Sequence, residues 1–421
     1  MIKRGLFVFS LIIALTAQAQ VQQDSTATQD SIKKNTFLKQ LGNGYFPTKF
    51  LNFDLRYLVK FNQYEGFRTG LGGITNDGFS KKYRINSYVV YGFVDKKIKY
   101  SLGGGFRIAP ETKTWLNISY TDDLQETGSS KFLTDKRFFS FFEPRLLNID
   151  LFHKHITTKV SLEHEINPKL LSEIEFATSN IRPTYDYNYI LNGESFGSFE
   201  TTTAKLSLQW NPRDQYETQD KKTNIVKEGY PKFTLQYTKS FKDILNGDFN
   251  FSKLDFRTIH KIQYNKEAYS LATFSAGLAL GNAPLTHLYH AYPNNITKET
   301  ILQRFSVAGI NSFETMYFNE FFSDRFATLI FKHYLKPFRI SKNFNPQLVL
   351  ISRFAFGDMT NTNRHQNITF NTLNKGYTES GFEINKLLLG LGLSFSYRYG
   401  AYHLPRTDDN IAFKFTFNIT L

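Results

Sequence analysis

The sequence of 421 residues contains no cysteine. Without cysteine there is no disulfide framework, no thiolate metal site, no cysteine nucleophile and no lipobox for a lipid anchor. The hydrolase string Gly-x-Ser-x-Gly is also missing. The nine histidines do not form a three-ligand zinc pattern of recognised spacing. These absences favour a non-catalytic protein that uses no metal and no cofactor.

Serine and histidine still occur in combinations that a hydrolase could use. Ser323 with His333, or Ser252 with His260, could be brought together on strands. No third member of a catalytic triad stands out for either pair. A barrel hydrolase is therefore kept as an alternative, which lipase or protease activity of the purified protein would reveal.

The chain also lacks an apolar run long enough to cross a bilayer as a helix. Near the N-terminus, Lys3 and Arg4 precede the apolar residues 5–16, and Ala17-Gln18-Ala19 follows. This order is typical of a secretory signal, and we predict cleavage after Ala19. An uncleaved anchor is the alternative. The uncharged segment 268–297 is apolar only as far as Gly281, so we interpret it as a strand that leads into a long loop.

Aromatic residues are abundant in a chain that is polar on average. There are 43 Phe and 24 Tyr but only 3 Met, and the mean hydropathy is −0.36. This combination suits a wall with one apolar face and one wet face. The formal charge of +14 comes from Lys and Arg spread along the whole chain. We therefore expect charges in a solvated lumen and near anionic headgroups, and no nucleic-acid binding.

Alternation of apolar and polar residues is the dominant signal after Lys49. At the C-terminus, one face carries Phe413, Phe415, Phe417, Ile419 and Leu421, and polar residues lie between them. Runs of about ten such residues are the length of a tilted transmembrane strand. Sixteen candidates lie near 50–60, 66–75, 84–93, 97–108, 113–122, 154–165, 169–179, 199–210, 231–239, 249–264, 268–281, 305–318, 323–335, 344–357, 388–399 and 409–421.

The sequence therefore predicts three regions. Residues 1–19 form a signal peptide and 20–48 a flexible periplasmic tail, with a short helical turn near Phe37 to Leu41. Residues 49–421 form an all-β, transmembrane antiparallel β-barrel of about 16 strands (range 14–18). A soluble sandwich is the alternative. Long joins are expected on the extracellular side, and three of them fit there: 123–153, 180–198 and 282–304. Two other long joins, 211–230 and 358–387, fall on the periplasmic side if both termini are periplasmic, which conflicts with sixteen strands.

Charged residues inside the alternating runs are the candidate lumen lining. They are Asp54, Arg56, Lys60, Lys159, Glu163, Glu173, Lys253, Asp255, Arg257 and Lys261. Two interpretations remain open. They either fill the lumen as a network of ion pairs and water, or they form a selectivity lining for a translocated solute or chain.

Several strings resemble a family of outer-membrane barrels from Bacteroidota whose barrel is known only as a domain of unknown function. They are FLNFDLRYLVKFNQYEGFRTGLGG (50–73), WNPRDQY (210–216), GYPKFTLQYTKS (229–240), NEFFSDRFATLIFKHYL (319–335) and GYTESGFEINKLLLGLGLSFSYRYGAY (376–402). The likeness covers roughly 45–421. Family members typically carry a carboxypeptidase-regulatory-like β-sandwich ahead of the barrel, and here only the tail stands in its place.

A more distant likeness is to the BamA/TamA assembly-factor superfamily, through the sixteen strands and the long loop after strand eleven. Two features depart from that superfamily. POTRA domains are absent, and residues 282–304 contain no Arg-Gly pair. The resemblance implies a location in the outer membrane and argues against a full insertase.

We therefore expect a non-catalytic outer-membrane barrel that acts in passage or assembly of material at the outer membrane. A structural or surface-binding barrel with a plugged lumen, using loops 123–153 and 282–304, is the competing function. The expected partners are outer-membrane lipid and lipopolysaccharide, and the barrel-assembly machinery during biogenesis.

Overall fold

The computed structural model describes Phe37, residues 40–133, Arg145, and residues 148–219, 222–296, 306–341, 344–388 and 390–417. Strands dominate this part, and none of its helices is long and apolar enough to cross a membrane. The predicted signal peptide, most of the predicted tail and the last four residues lie outside the described residues. Phe37 and residues 40–42 are helical, where the sequence predicts a short helical turn.

One sheet of nineteen segments forms the wall, and sixteen strands run through it as antiparallel neighbours in chain order. The first of these is split into two segments, and two short segments are added at the edges. The wall strands are β1 (Leu51–Asp54 and Val59–Asn62), β2 (Gly66–Thr75), β3 (Tyr83–Gly92), β4 (Ile98–Ala109), β5 (Thr114–Glu126), β6 (Phe152–Asn167), β7 (Leu170–Pro183), β8 (Phe199–Trp210), β9 (Lys232–Phe241), β10 (Phe251–Gln263), β11 (Tyr269–Gly281), β12 (Arg325–Tyr334), β13 (Gln347–Asp358), β14 (Tyr377–Leu388), β15 (Leu391–Tyr399) and β16 (Ile411–Phe417).

The remaining elements are short. Besides the two edge segments, Tyr45–Pro47 and Ser306–Val307, the strands are Asn188–Leu191, Glu194–Phe196, Gln215–Gln219, Lys222–Lys227, Pro293–Asn295, Phe313–Tyr317 and His365–Gln366. The 3-10 turns are Leu55–Tyr57, Leu285–His287, Thr362–Arg364, Gly400–Tyr402 and Thr407–Asn410.

The strands carry large apolar side chains on their outer face. Leu71 in β2, Leu102 in β4 and Ile118 in β5 are each about 60% exposed. Their neighbours along each strand point inward. A broad apolar outer surface of this kind is stable only in lipid, because a water-soluble protein rarely exposes such a patch. The fold is therefore a transmembrane antiparallel β-barrel, as predicted.

Strand β1 differs from the continuous strand predicted for 50–60. Asp54 accepts a hydrogen bond from the backbone N–H of Arg56 and starts a 3-10 turn, Leu55–Tyr57. Both halves of β1 pair with β2 on either side of the turn. Tyr45–Pro47 pairs with the first half, so the predicted flexible tail already folds onto the sheet before residue 48.

The predicted strand at 305–318 is wrong, and a strand was missed at 377–388. Phe313–Tyr317 is buried on both faces inside the barrel, whereas a wall strand is exposed on one. The outer face of β14 begins with Thr378 and Ser380, which weakens its apolar alternation. The predicted number of sixteen was thus reached with one strand wrongly included and one omitted. The extra strand also removes the conflict at 358–387.

The boundary between β1 and β16 is the one place where neighbouring wall strands do not pair among the described residues. We call this boundary the seam. The segment Ser306–Val307 occupies the edge of β16 there, in parallel orientation. The other fifteen wall boundaries are antiparallel ladders.

Candidate functional site: the lumen and its plug

The connection between β11 and β12 enters the barrel. We call its described residues, 282–296 and 306–324, the plug. Tyr289 of the plug lies on Gly277 of β11, where an added Cβ would come within 2.5 Å of the tyrosine ring. The same ring packs on Phe326 of β12, with ring centroids 4.6 Å apart. The loop predicted to be extracellular at 282–304 is therefore turned inward in its described part, because its aromatic residues pack against the inner wall.

Glu314 anchors the plug to β16. Its carboxylate lies 3.1 Å from the ammonium of Lys414, and both side chains are 1% exposed. Asn294 Nδ2, Ser312 Oγ and the backbone N–H of Gly309 also donate to this carboxylate. Burial by itself would raise the pKa of Glu314, but the charge of Lys414 holds it below its usual value. The pair therefore stays charged and joins the plug to the last strand.

A second anchor reaches β14 and β13. Glu379 of β14 accepts hydrogen bonds from the backbone N–H groups of Glu314 and Thr315, each at 2.9 Å. Arg353 of β13 donates to the same carboxylate at 2.7 Å, and both side chains are fully buried. The ion pair between Arg353 and Glu379 in the wall thus holds the plug, since the Glu379 carboxylate also accepts from the plug backbone.

A third anchor joins Glu320 of the plug to Arg398 of β15. The guanidinium binds the carboxylate with both terminal nitrogens, at 3.0 and 2.7 Å. This fork geometry fixes direction as well as distance. All three anchors lie on β13 to β16, which places the strongest contacts of the plug beside the seam.

The plug also forms backbone hydrogen bonds at the seam. Ser306 and Val307 are in register with Lys414 and Phe415 of β16, and Ala308 N donates to Phe415 O at 2.7 Å. Asn294 Nδ2 bonds Val307 O, and Lys414 Nζ donates to the carbonyl of Asn294. Edge strands present unpaired backbone groups that invite another strand. The plug therefore covers part of an edge that would otherwise be available for strand addition.

The connection between β5 and β6 supplies a second inserted segment. The backbone N–H of Leu133 donates to Gln236 Oε1, and Gln236 Nε2 donates to the carbonyl of Lys131, both at 3.0 Å. Phe132 lies under the guanidinium of Arg257, at 3.9 Å from its ring centroid. The described residues of the predicted surface loop 123–153 are thus partly inside the barrel as well.

Glu126 at the end of β5 ties the two inserted segments together. It pairs with Arg145 at 2.5 Å and with His290 of the plug at 2.7 Å. Arg145 also donates to the carbonyl of Pro293. The two segments therefore form one packed body in the described part of the lumen.

A small sheet, which we call the cap, packs on the plug. Asn188–Leu191, Glu194–Phe196 and His365–Gln366 form its three-stranded sheet. Tyr187 hydrogen-bonds His365 Nδ1 at 2.8 Å, and burial lowers the pKa of His365 to about 4. Desolvation likewise lowers the pKa of His287 to about 3. These histidines are neutral parts of a packed core at neutral pH.

The predicted lumen residues of β1, β6 and β7 lie on the inner face or at its edge. Asp54 and Arg56 bond each other across the 3-10 turn rather than along a strand. Lys60 stands opposite the inward Arg68 of β2. The other three are ion-paired or buried: Lys159 lies 3.8 Å from Glu175, Glu163 lies 3.0 Å from Arg84, and Glu173 is 1% exposed.

The four predicted residues of β10 also face inward. Lys253 lies 4.4 Å from the ring centroid of the plug residue Tyr289, and Asp255 is 4% exposed. Arg257 donates to Ser275 at 3.2 Å and covers Phe132. Lys261 lies 4.1 Å from the ring centroid of Tyr269. Lys253 and Arg257 thus contact the inserted segments. A role of these four residues in selectivity remains a prediction.

Sequence reasoning missed the residues that hold the plug: Glu314, Glu320, Arg353, Glu379, Arg398 and Lys414. Arg398 and Lys414 stood on the polar face of alternating runs, so their inward direction was available from the sequence. Glu314 was hidden because 305–318 was interpreted as a wall strand, and Glu320 lies between that predicted strand and the next one, 323–335. Their pairing joins positions up to 100 residues apart in the chain, such as Glu314 and Lys414.

The structure does not bring Ser323 and His333 together, and Ser252 and His260 lie on one strand, β10, separated by seven residues. Ser323 lies buried in the plug at the inner side of the wall, whereas His333 of β12 lies on the outer face. His333 instead meets Ser270 of β11, whose Oγ is 2.8 Å from Nδ1. Groups of three or more possible metal ligands were not found in the described part of the chain.

The fold and the inserted plug define the class: in its described part, the chain is a sixteen-stranded barrel of the outer-membrane type with its own loops inside the lumen. The sequence matches the C-terminal domain of DUF5686, a family of unknown function, over residues 45–336, so the chain belongs to this family. Among curated proteins no match was found.

Three solved structures match this chain over most of its length. BamA from Haemophilus ducreyi lacking POTRA domains 1–3 has 11% identity and a TM-score of 0.50, covering 94% of this chain and 79% of that one. CdiB from Acinetobacter baumannii has 9% identity and a TM-score of 0.41, with coverages of 84% and 57%. OmpT of Vibrio cholerae has 6% identity and a TM-score of 0.32, with coverages of 79% and 89%. The similarity to the BamA structure supports the barrel fold.

Proposed function

We propose that this protein is a non-catalytic barrel of the outer membrane that acts in the assembly of material there, and that the plug controls access to the seam. The observation that carries the proposal is the pairing of Ser306 and Val307 with β16. A strand edge that is covered by an internal segment can be uncovered, and an uncovered edge can accept a strand of another chain.

Steady passage through the lumen is less well supported than assembly. The plug and residues 127–133 both occupy the lumen and contact β5, β9, β10 and β13 to β16. Passage would require both segments to move, and the three anchors of the plug would have to break together. Assembly at the seam requires only that the plug leave β16.

The proposal places the protein in the outer membrane. An apolar outer face, a secretory signal and the resemblance to outer-membrane families support export, signal cleavage after Ala19 and insertion by the barrel-assembly machinery. Lipid and lipopolysaccharide would then surround the wall, with the long connections on the extracellular side.

A reversible lock tests the proposal. Because the chain has no native cysteine, the pair Val307→Cys and Phe415→Cys would give one disulfide between register partners of the plug and β16. The matched control is Leu393→Cys with Phe415→Cys, which joins register partners of β15 and β16 and leaves the plug untouched. Both proteins would replace the wild type in a deletion strain.

We expect the plug lock to reproduce the defect of the deletion strain in levels of other outer-membrane proteins, and a reductant to relieve it. The wall lock should behave as wild type. If the deletion strain has normal outer-membrane proteins, or if the plug lock has no effect, the assembly function is wrong. If the assembly test fails and the barrel also conducts no ions in planar bilayers, the surface-binding interpretation is left. The candidate binding surface is then the packed cap at 184–198 and 365–366.

A further inference from the structure

A notch lies on the outside of the barrel, across β11 to β13. It is an open depression of about 560 Å³, a volume within the range of small-molecule sites. Its outward-facing lining residues are Tyr264, Ser270, Phe331, His333, Leu350 and Ser352. Register partners share a face of the sheet, and Ser270, His333 and Leu350 are opposite one another on three consecutive strands. The notch therefore opens toward the surroundings of the barrel and not into the lumen.

The base of the notch is polar. Ser270 is 2% exposed, and its hydroxyl lies 2.8 Å from His333 Nδ1 and 3.1 Å from the hydroxyl of Tyr264. With Tyr264 donating to Ser270 and Ser270 donating to Nδ1, the imidazole carries its proton on Nε2. That N–H is then a donor for an acceptor oxygen of a ligand. Tyr264, Ser270 and Nδ1 of His333 satisfy one another in this chain, so the group it offers to a ligand is the Nε2 donor.

The rim of the notch is apolar. Phe331 is 40% exposed and Leu350 is 46% exposed. Ser352 of β13, the register partner of Phe331 and the outward neighbour of Leu350, is much smaller than either and leaves room between them. A ligand that fits has an apolar chain to lie against these side chains and an oxygen acceptor at one end.

The notch lies at the end of the barrel where the short connections are. Tyr264 begins the turn between β10 and β11, and the exposed Lys266 follows it. Lys336 is exposed directly after β12. With the long connections on the extracellular side, this end is periplasmic. Cations and tyrosine at the level of the headgroups are typical of a membrane interface.

We propose that the notch is a binding site for one glycerophospholipid. An acyl chain lies along Phe331 and Leu350, and the ester or phosphate oxygens accept a hydrogen bond from His333 Nε2. Lys266 and Lys336 attract the phosphate at the rim. This site is independent of the plug and of the assembly function, because its residues point away from the lumen.

The test uses the full-length barrel in nanodiscs of phosphatidylethanolamine and phosphatidylglycerol, followed by native mass spectrometry of retained lipid. His333→Leu removes the donor and keeps an apolar outer surface. The matched control is His260→Leu, which makes the same change at an exposed, outward histidine of β10 that does not line the notch. Ser352→Phe is a second variant, which fills the cavity without touching the polar groups. Heat-dependent mobility on gels confirms that each variant is folded.

We expect one retained phospholipid on the wild type and on His260→Leu. His333→Leu should retain about fivefold less, the factor that corresponds to one hydrogen bond of about 1 kcal/mol, and Ser352→Phe should retain none. Equal retention by all four proteins would overturn the proposal, as would replacement of the phospholipid by lipopolysaccharide when both are supplied. Release of fatty acid that Ser270→Ala abolishes would also overturn it, since the notch would then be a hydrolytic site.

Discussion

The ion pair between Glu314 and Lys414 offers the sharpest test of how the plug is held. In Lys414→Met the ammonium is lost, while a side chain of similar length remains on the inner face of β16. Glu314 is then a buried carboxylate without its counter-charge, although Asn294, Ser312 and the N–H of Gly309 still donate to it. Docking of the plug against β16 should be weakened.

The magnitude follows from the burial of the pair. Removing one partner of a buried ion pair costs about 3–5 kcal/mol. The three remaining donors to Glu314 favour the lower end, about 3 kcal/mol, which corresponds to roughly a hundredfold shift toward the released plug. The other anchors, at Glu379 and Arg398, are intact. Because the plug also binds the second inserted segment, where Ser130 N donates to the hydroxyl of Tyr292, both segments should leave the lumen together, and only transiently.

Planar-bilayer recording measures this shift. The wild type should be silent for most of the record, and Lys414→Met should show brief conducting events. The double variant Glu314→Gln with Lys414→Met should return to silence, because it leaves no buried charge and the amide oxygen can still accept from the three donors. Lys205→Met is the matched control, since its ion pair with Glu175 is partly exposed and joins β7 and β8, which carry none of the three plug anchors. A silent Lys414→Met, or a double variant as active as the single one, would refute the reasoning.

Three further predictions concern the wall and the cap. Phe415→Lys places a cation on the outer face, where it should cost roughly 2–4 kcal/mol near the bilayer midplane; urea unfolding in lipid should show this loss, and Phe415→Leu should be close to wild type. Arg353→Met leaves Glu379 buried without its counter-charge, although the N–H groups of Glu314 and Thr315 still donate to it, and should destabilise the folded barrel by about 3 kcal/mol in the same assay, whereas an unchanged midpoint would contradict the buried pair. The cap should loosen on acidification: the pKa of His365 is lowered from 6.5 to about 4 in the folded protein, so its stabilising contribution is present above 6.5 and is lost as the pH falls toward 4, by about 3 kcal/mol in full. Hydrogen exchange at Tyr187 and its neighbours should report this loss, and His365→Gln should remove the pH dependence.

The wall could be predicted because its signal is local. A side chain two residues away points to the same side of a strand, so the inward direction of Lys253 and Arg257 and the outward direction of Phe415 were available from spacing alone. The signal failed where one face was not clearly apolar. In β14 the outer residues Thr378 and Ser380 are polar, and the strand was taken for part of a long join.

The plug could not be predicted in the same way. Phe313 and Met316 are buried inside the barrel on all sides, so their spacing carries no information on which way the chain runs. Glu314 and Glu320 are ordinary acidic residues in the sequence, and only the approach of Lys414 and Arg398 gives them a role. The same holds for the notch, because Ser270 and His333 become neighbours only through the pairing of β11 with β12.

The sequence by itself determined the class of fold, the approximate number of strands and the two faces of most of them, because alternation and strand length are properties of a few consecutive residues. The tertiary structure alone decided that the loop after β11 lies inside the barrel, that it covers the edge of β16, and that a hydroxyl and an imidazole meet on the lipid side. These features depend on contacts between strands distant in the chain, and such contacts form only when the sheet curls and brings its strands together.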